Sequence, residues 1–362
     1  MNYEKRMEED LDEIRNEVGD VIERVEGQVQ DAVKALLGDR IELANQVILG
    51  DRLVNSQIRQ IDQLCHAFIV RHAPSAGHLR YVSAVLRFNI ALERVGDYAS
   101  TMGREIVQLS GMPSGQVSRD IELISKQSRM SLAQALKSFR NADVAMARNT
   151  HGLSEQTDAV LENAFSDLIA VGERQEMSLR DIFGLLRIIN LLKRVAEQAD
   201  NICEHTVFAY TGKLDPPKVF RVLFLDQLNN CASQIAEGYA RKAFPESGEY
   251  SSAGISSATG LGSGLKAFLD QNGIDVQRKY PKKFRSLDGV IPHYHIVVVL
   301  ENGVSEHIRH IPFRTVLLEW DLGIEKTDLE EKLTEEQFAK LFQEIAHRVR
   351  DLMQTLRGPR AR

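Results

Sequence analysis

Residues 79–99 read Leu79-Arg80-Tyr81-Val82-Ser83-Ala84-Val85-Leu86-Arg87-Phe88-Asn89-Ile90-Ala91-Leu92-Glu93-Arg94-Val95-Gly96-Asp97-Tyr98-Ala99. The chain returns to this pattern 100 residues later, at Leu179-Arg180, Leu186-Arg187, Leu192, Arg194-Val195 and Ala199. Identities kept in one register without a gap mark a duplicated unit rather than shared helical composition. The repeat predicts two copies, at about 1–113 and 114–213, each long enough for three helices. Proline usage agrees, because only Pro74 and Pro113 fall within residues 1–215 and a helix interior excludes proline at a cost of about 3 kcal/mol. Periodicity agrees as well. Leu11, Ile14, Val18, Val21, Val25, Val29, Ala32 and Leu36 follow at steps of three or four and form one apolar stripe. Connections are expected near Gly38, Gly50, Pro74–Gly77 and Gly111–Gly115, then near Gly152 and 172–176. Two three-helix bundles packed side by side follow from this pattern.

Asp215-Pro216-Pro217 ends the helical half, and 214–218 reads as a linker. From residue 219 the pattern changes. Val219–Leu225 is a short apolar strand of the buried parallel type. A polar loop and a helix over 234–244 follow, then strand Tyr250–Ala253, helix Gly264–Asn272, strands His295–Leu300 and Thr315–Trp320, and a closing amphipathic helix over 334–356. Strands alternating with helices predict an open parallel α/β sheet over 219–362. The expected fold is thus multidomain: all-α tandem three-helix bundles followed by an α/β domain.

Composition narrows the function. The 362 residues are 27% charged and 43% hydrophobic, an ordinary globular balance. A net charge of −6 with no long basic stretch argues against nucleic-acid binding. Cys65, Cys203 and Cys231 are too scattered for a disulfide framework or a cysteine zinc site. The N-terminus, Met-Asn-Tyr-Glu-Lys-Arg, turns acidic at Glu8-Glu9-Asp10, which reads as a solvated helix start rather than a signal peptide or a ligand site. No run approaches the roughly 20 apolar residues of a membrane span, so a cytoplasmic protein is expected.

Glu93 and Asp97 stand four residues apart, on one face of a helix. Facing carboxylates in a helix bundle build hard-metal centres, although the same spacing also occurs on solvated faces. The wider pattern, Pro74-Ser75-Ala76-Gly77-His78-Leu79-Arg80 followed by Leu92–Ala99 and then repeated, resembles the PhoU family of phosphate-transport regulators, as does Leu36-Leu37-Gly38-Asp39. The resemblance spans about 5–213. It implies two tandem three-helix repeats and a cluster of iron, zinc or manganese held by the motif acids, here Glu93 and Asp97. It also implies homodimers, and as partners a phosphate ABC transporter ATPase and a sensor histidine kinase, with membrane association only through those partners. The second copy departs from the pattern, with Lys193-Arg194-Val195-Ala196-Glu197. A protonated Lys193 cannot ligate a cation. Glu197, Asp200 and Glu204 share a face that could partly substitute, or Lys193 forms an ion pair in place of a second metal.

In the C-terminal half, Val222-Leu223-Phe224-Leu225-Asp226-Gln227-Leu228-Asn229-Asn230-Cys231-Ala232-Ser233 is a strand, a loop and a helix start. Such a loop aims backbone N–H groups at a common centre that favours an anion. The segment resembles the phosphate-binding loop of low-molecular-weight tyrosine phosphatases and thioredoxin-coupled arsenate reductases. Ser252-Ala253-Gly254, Gly273-Ile274-Asp275, Val297–Val299 and Trp320 extend the resemblance to roughly 219–356. Asp226 occupies the position of the family's nucleophilic cysteine and Ala232 that of its arginine, and no acid-proline pair follows Trp320. A thiolate and a bidentate guanidinium are what that chemistry needs. The expectation is a pseudo-phosphatase with no catalytic residues, in which Asp226, Asn229, Cys231 and Ser233 form a degenerate anion loop used for docking or ligand sensing. The alternative is a phosphatase or arsenate reductase that uses Cys231 or Asp226 in an altered way. His293, His295, His307 and His310 could hold zinc but read better as strand-end histidines. Gly254–Gly264 reads as a flexible loop.

Overall fold

The computed structural model describes residues 3–213, 219–256, 258–275, 280–284, 294–308, 311–312, 314–322 and 334–358. The chain forms two compact units, Met1–Asp215 and Pro216–Arg362. The 214–218 linker, His293 and His310 lie outside the described residues.

The first unit is entirely helical: α1 (Tyr3–Leu37), α2 (Ile41–His72), α3 (Ala76–Gln108), α4 (Gly115–Arg140), α5 (Val144–Thr150), α6 (Gln156–Glu173) and α7 (Leu179–Thr211). The stripe read along α1 is its buried face, from Leu11 to Leu36. α2 stops at Ala73, in the left-handed conformation with its N–H returned to Ile69 O, immediately before Pro74. Ser178 caps α7 by accepting from Asp181 N, and Gly212 closes it in the left-handed region at φ 71°.

Two features depart from the expected layout. Gly50 lies inside α2 rather than at a connection. A Cβ there would sit 2.9 Å from the Gln28 side-chain nitrogen, so this glycine serves the close approach of α1 rather than a turn. The second copy also has no single middle helix. α4 ends at Arg140, Ala142 takes a positive φ of 56°, and Asp143 accepts from Met146 N at 2.9 Å to start the short α5. Gly152, with φ 88°, then turns the chain toward α6.

The two repeats meet through α3 and α7, which run antiparallel. The Arg87 guanidinium lies 5.6 Å from the Phe208 ring centroid, and at the other end Arg187 pairs with Glu105 at 2.5 Å. These arginines are equivalent members of the repeat, so the recurring Leu-Arg pairs supply a quasi-symmetric clasp. The rings of Phe88 on α3 and Phe139 on α4 stack at 4.1 Å, and both are fully buried.

The second unit has β1 (Phe220–Asp226), α8 (Ala232–Ala243), β2 (Gly248–Gly254), α9 (Leu265–Gln271), β3 (Ile296–Val299), β4 (Val316–Glu319) and α10 (Glu335–Arg357). All strand pairs are parallel, in the order β2-β1-β3-β4. The central strand, β1, is buried from Val222 to Asp226, as its apolar run predicts. α10 starts at a capping box between Thr334 and Gln337 and lays Phe338, Leu341, Ile345, Val349 and Met353 into the core on the α8 side. Because β1 is central and ends at Asp226, the loop that follows emerges at the carboxyl edge of the sheet, where open α/β sheets bind ligands.

Replacing Phe139 with alanine should lower the stability of the helical unit by about 3–5 kcal/mol, read from urea unfolding followed by circular dichroism. A loss below about 1 kcal/mol would show that the ring stack does not hold the repeats together.

Candidate functional site

Glu93 and Asp97 project from the exposed side of α3, and between them Gly96 is buried. A Cβ at Gly96 would meet Val54 at 3.3 Å and the Gln28 side-chain oxygen at 3.5 Å. The motif glycine therefore lets α2 and α1 approach α3 at this point. That approach brings up Asp51 of α2, which the sequence reading had missed. Burial first, then the carboxylates of Asp51 and Glu93, push the Asp97 carboxyl above its ordinary range. Asn55, one turn after Asp51, donates to it at 3.3 Å, and the second Asp51 oxygen is buried without a hydrogen-bond partner. Crowded like charges and an unsatisfied carboxylate oxygen, in a set made only of oxygen donors, fit the chemistry of a hard cation. As placed, the side chains do not converge: no group of three or more His, Cys, Asp or Glu among the described residues is arranged to hold a metal.

The second repeat is built differently. The Lys193 ammonium lies 3.1 Å from Asp158 of α6 and 3.9 Å from Glu197. Asp200 does not join this group. One of its oxygens accepts from Gly152 N at 2.9 Å and the other from the Ser154 hydroxyl, so it fastens the turn between α5 and α6. Glu204 pairs with His151 at 3.3 Å. Glu197 and Asp200 thus serve separate local structures.

In the α/β unit, the loop after β1 closes around Asp226, which is wholly buried. One carboxylate oxygen accepts from Asn229 N at 2.5 Å. The other accepts from Ser233 N at 3.0 Å and the Ser233 hydroxyl at 2.6 Å. The Leu228 N–H also faces the carboxylate. Burial pushes the Asp226 carboxyl upward, and these donors pull only part of the way back. Asn229 takes φ 54°, and its side-chain oxygen accepts from Gln234 at 2.9 Å and from Lys282 N at 2.7 Å. Its amide donates to the Ser233 hydroxyl at 2.8 Å. The donors that such a loop aims at a bound anion are taken up by the protein's own carboxylate.

The rest of the loop is equally closed. Cys231 is buried, and burial, with Asp226 and Glu301 nearby, pushes its thiol far above the ordinary value, so it is a thiol at neutral pH. Ala232 starts α8 fully buried. Across the loop Gly254 has room for no side chain, since a Cβ would fall 2.6 Å from Asn229 N. Glu301, also missed in the sequence, accepts from Gln227 N at 3.1 Å. His295 accepts from Arg221 N at 2.9 Å through Nδ1, which makes it a structural partner of β1.

Comparison with known proteins places both units. The PhoU domain family matches residues 6–106 and 121–206, and the family described as low molecular weight phosphotyrosine protein phosphatase matches 221–361. A protein of Pseudomonas putida called a phosphate-specific transport system accessory protein PhoU homolog is 29% identical over 206 residues, covering 56% of this chain and 80% of that protein. The crystal structure of PhoU from Pseudomonas aeruginosa superimposes with a TM-score of 0.51 at 27% identity, over 57% of this chain and 99% of that one. PhoU from Streptococcus pneumoniae gives a TM-score of 0.51 at 23% identity, over 59% and 99% respectively, and shares the fold. With the repeat, the clasped helices and the family match over more than half of its length, this chain belongs to the PhoU domain family, and it joins that domain to a low-molecular-weight-phosphatase-like α/β unit.

Proposed function

We propose that this protein is a metal-binding accessory regulator of phosphate uptake that acts through protein contacts, and that its α/β unit has exchanged catalysis for docking or ligand sensing. The observation that carries the regulatory reading is the match of the whole helical unit to phosphate-specific transport accessory proteins. In this reading the partners are a phosphate transporter's ATPase and a sensor kinase, the working form is a homodimer, and the protein reaches the membrane only through those partners. None of the described helices is long and apolar enough to cross a membrane. Expression of the chain in a bacterium deleted for its own accessory protein should restore repression of a phosphate-starvation reporter at high phosphate. A reporter that stays derepressed, with the protein present at normal levels, would overturn the regulatory reading.

The metal belongs to the first repeat in this proposal. Asp51, Asn55, Glu93 and Asp97 would hold it, and the ion would neutralise the charge that now raises the Asp97 carboxyl. Elemental analysis of protein purified without chelator should find iron, zinc or manganese near stoichiometry, and Glu93→Ala/Asp97→Ala should lose it. Metal that persists in the double variant would place the site elsewhere.

The filled loop supports the non-catalytic reading. A nucleophile there would have to be a buried neutral thiol or a carboxylate already engaged by three hydrogen bonds, and Ala232 stands at the loop position where an arginine would hold a phosphoryl group. Assayed on a generic aryl phosphate, the wild type, Asp226→Ala and Cys231→Ala should all stay at the no-protein background. Turnover by the wild type that either substitution abolishes would favour the altered enzyme.

A further inference from the structure

The two repeats carry related acidic faces, with a carboxylate in place of an amide at one position and an ammonium in place of a carboxylate at another. On the third helices, Glu93 and Asp97 of α3 correspond to Lys193 and Glu197 of α7 at the repeat offset of 100. On the middle helices, Asp51, Val54, Asn55 and Ile61 of α2 correspond to Asp158, Leu161, Glu162 and Leu168 of α6 at an offset of 107. Structure supports this register, since Val54 and Leu161 are both buried, as are Ile61 and Leu168. Asp51 faces the α3 motif in the first repeat, and Asp158 faces Lys193 in the second. The second repeat therefore keeps two carboxylates at equivalent positions, Asp158 and Glu197, has Glu162 in place of the Asn55 amide, and places the Lys193 ammonium where the first has the Glu93 carboxylate.

From this correspondence we infer that Lys193 is a tethered cation, standing in the second repeat for the metal ion that the first repeat is proposed to bind, and that it closes that face to metals. Three features carry the inference. Its side chain is only 12% exposed, so it has left bulk water for this face. Its nitrogen lies between carboxylates of two helices, at 3.1 Å and 3.9 Å, and so it joins α6 to α7 as a bridging ion would. It is a compact point charge, which neutralises neighbouring carboxylates without a fixed coordination geometry. A divalent cation arriving at the same place would meet this charge and be repelled. The duplicated unit then has one metal-dependent half and one half whose charge balance is covalent, independent of metal supply.

The inference rests on the proposed metal site of the first repeat only for its analogy, and one experiment separates the two. The full-length protein is dialysed to equilibrium against Mn²⁺ and, separately, Zn²⁺, as wild type, Lys193→Glu, Lys193→Met, Glu93→Ala/Asp97→Ala and the Lys193→Glu/Glu93→Ala/Asp97→Ala triple variant. Lys193→Glu should bind an additional ion over the wild type, and the triple variant should retain that ion when the first site is gone. Lys193→Met, which removes the charge and supplies no ligand, should gain no metal and melt about 2–5 °C lower. Lys193→Glu without metal should melt lower too and recover on adding Mn²⁺. A folded Lys193→Glu that gains no ion, or a Lys193→Met that melts like the wild type, would overturn the tethered-cation role. Absence of metal from the wild type together with its gain by Lys193→Glu would instead overturn only the proposed first site.

Discussion

The antiparallel packing of α3 against α7 is the interaction on which the helical unit depends. Each three-helix copy buries its own stripe, but the third helices also have to bury against each other, and an equivalent arginine from each copy closes one end of the contact. Arg87 reaches Phe208, and Arg187 reaches Glu105. Burial and the Arg87 charge hold His205, beside this clasp, down to about 4, so it is neutral at ordinary pH. Stacked Phe88 and Phe139 add the apolar part of the same junction. The duplication places an equivalent arginine at each end of the interface, and each meets a different kind of partner, an aromatic ring at one end and a carboxylate at the other.

Local neutralisation of charge then decides what each face can do. In the first repeat the carboxylates of Asp51 and Glu93 bear on that of Asp97 and raise it. In the second, Lys193 supplies a cation. At the end of β1 the sign is reversed: a cradle of N–H groups is filled by the Asp226 carboxylate. A buried charge is tolerated only when partners surround it, and here those partners come from the chain itself.

The loop after β1 is held by its own side chains. Asn229, Ser233, Gln234 and Gly254 hold the loop through contacts with the Asp226 carboxylate, with one another and with the 280–284 segment. These contacts shape the edge of the sheet whether or not a substrate is ever bound.

The sequence by itself determined the duplicated helical unit, the change to alternating strands and helices after the prolines, and the Asp226 and Ala232 that stand where the resembled loop has cysteine and arginine, because periodicity, proline placement and motif spacing are all local along the chain. It did not disclose Asp51 or Asp158, which lie about forty residues before the third-helix motifs and meet them only when α2 packs on α3 and α6 on α7. Nor did it separate Asp200 from Glu197, since residues sharing a helix face can serve different neighbours, and only the α5–α6 turn claims Asp200. Gly50 read as a break because its role is steric, set by a side chain from another helix. The position of Asp226 was legible. Its occupation of its own anion cradle was decided by the tertiary structure, because the direction of backbone N–H groups is a property of the folded loop and not of the residues that compose it.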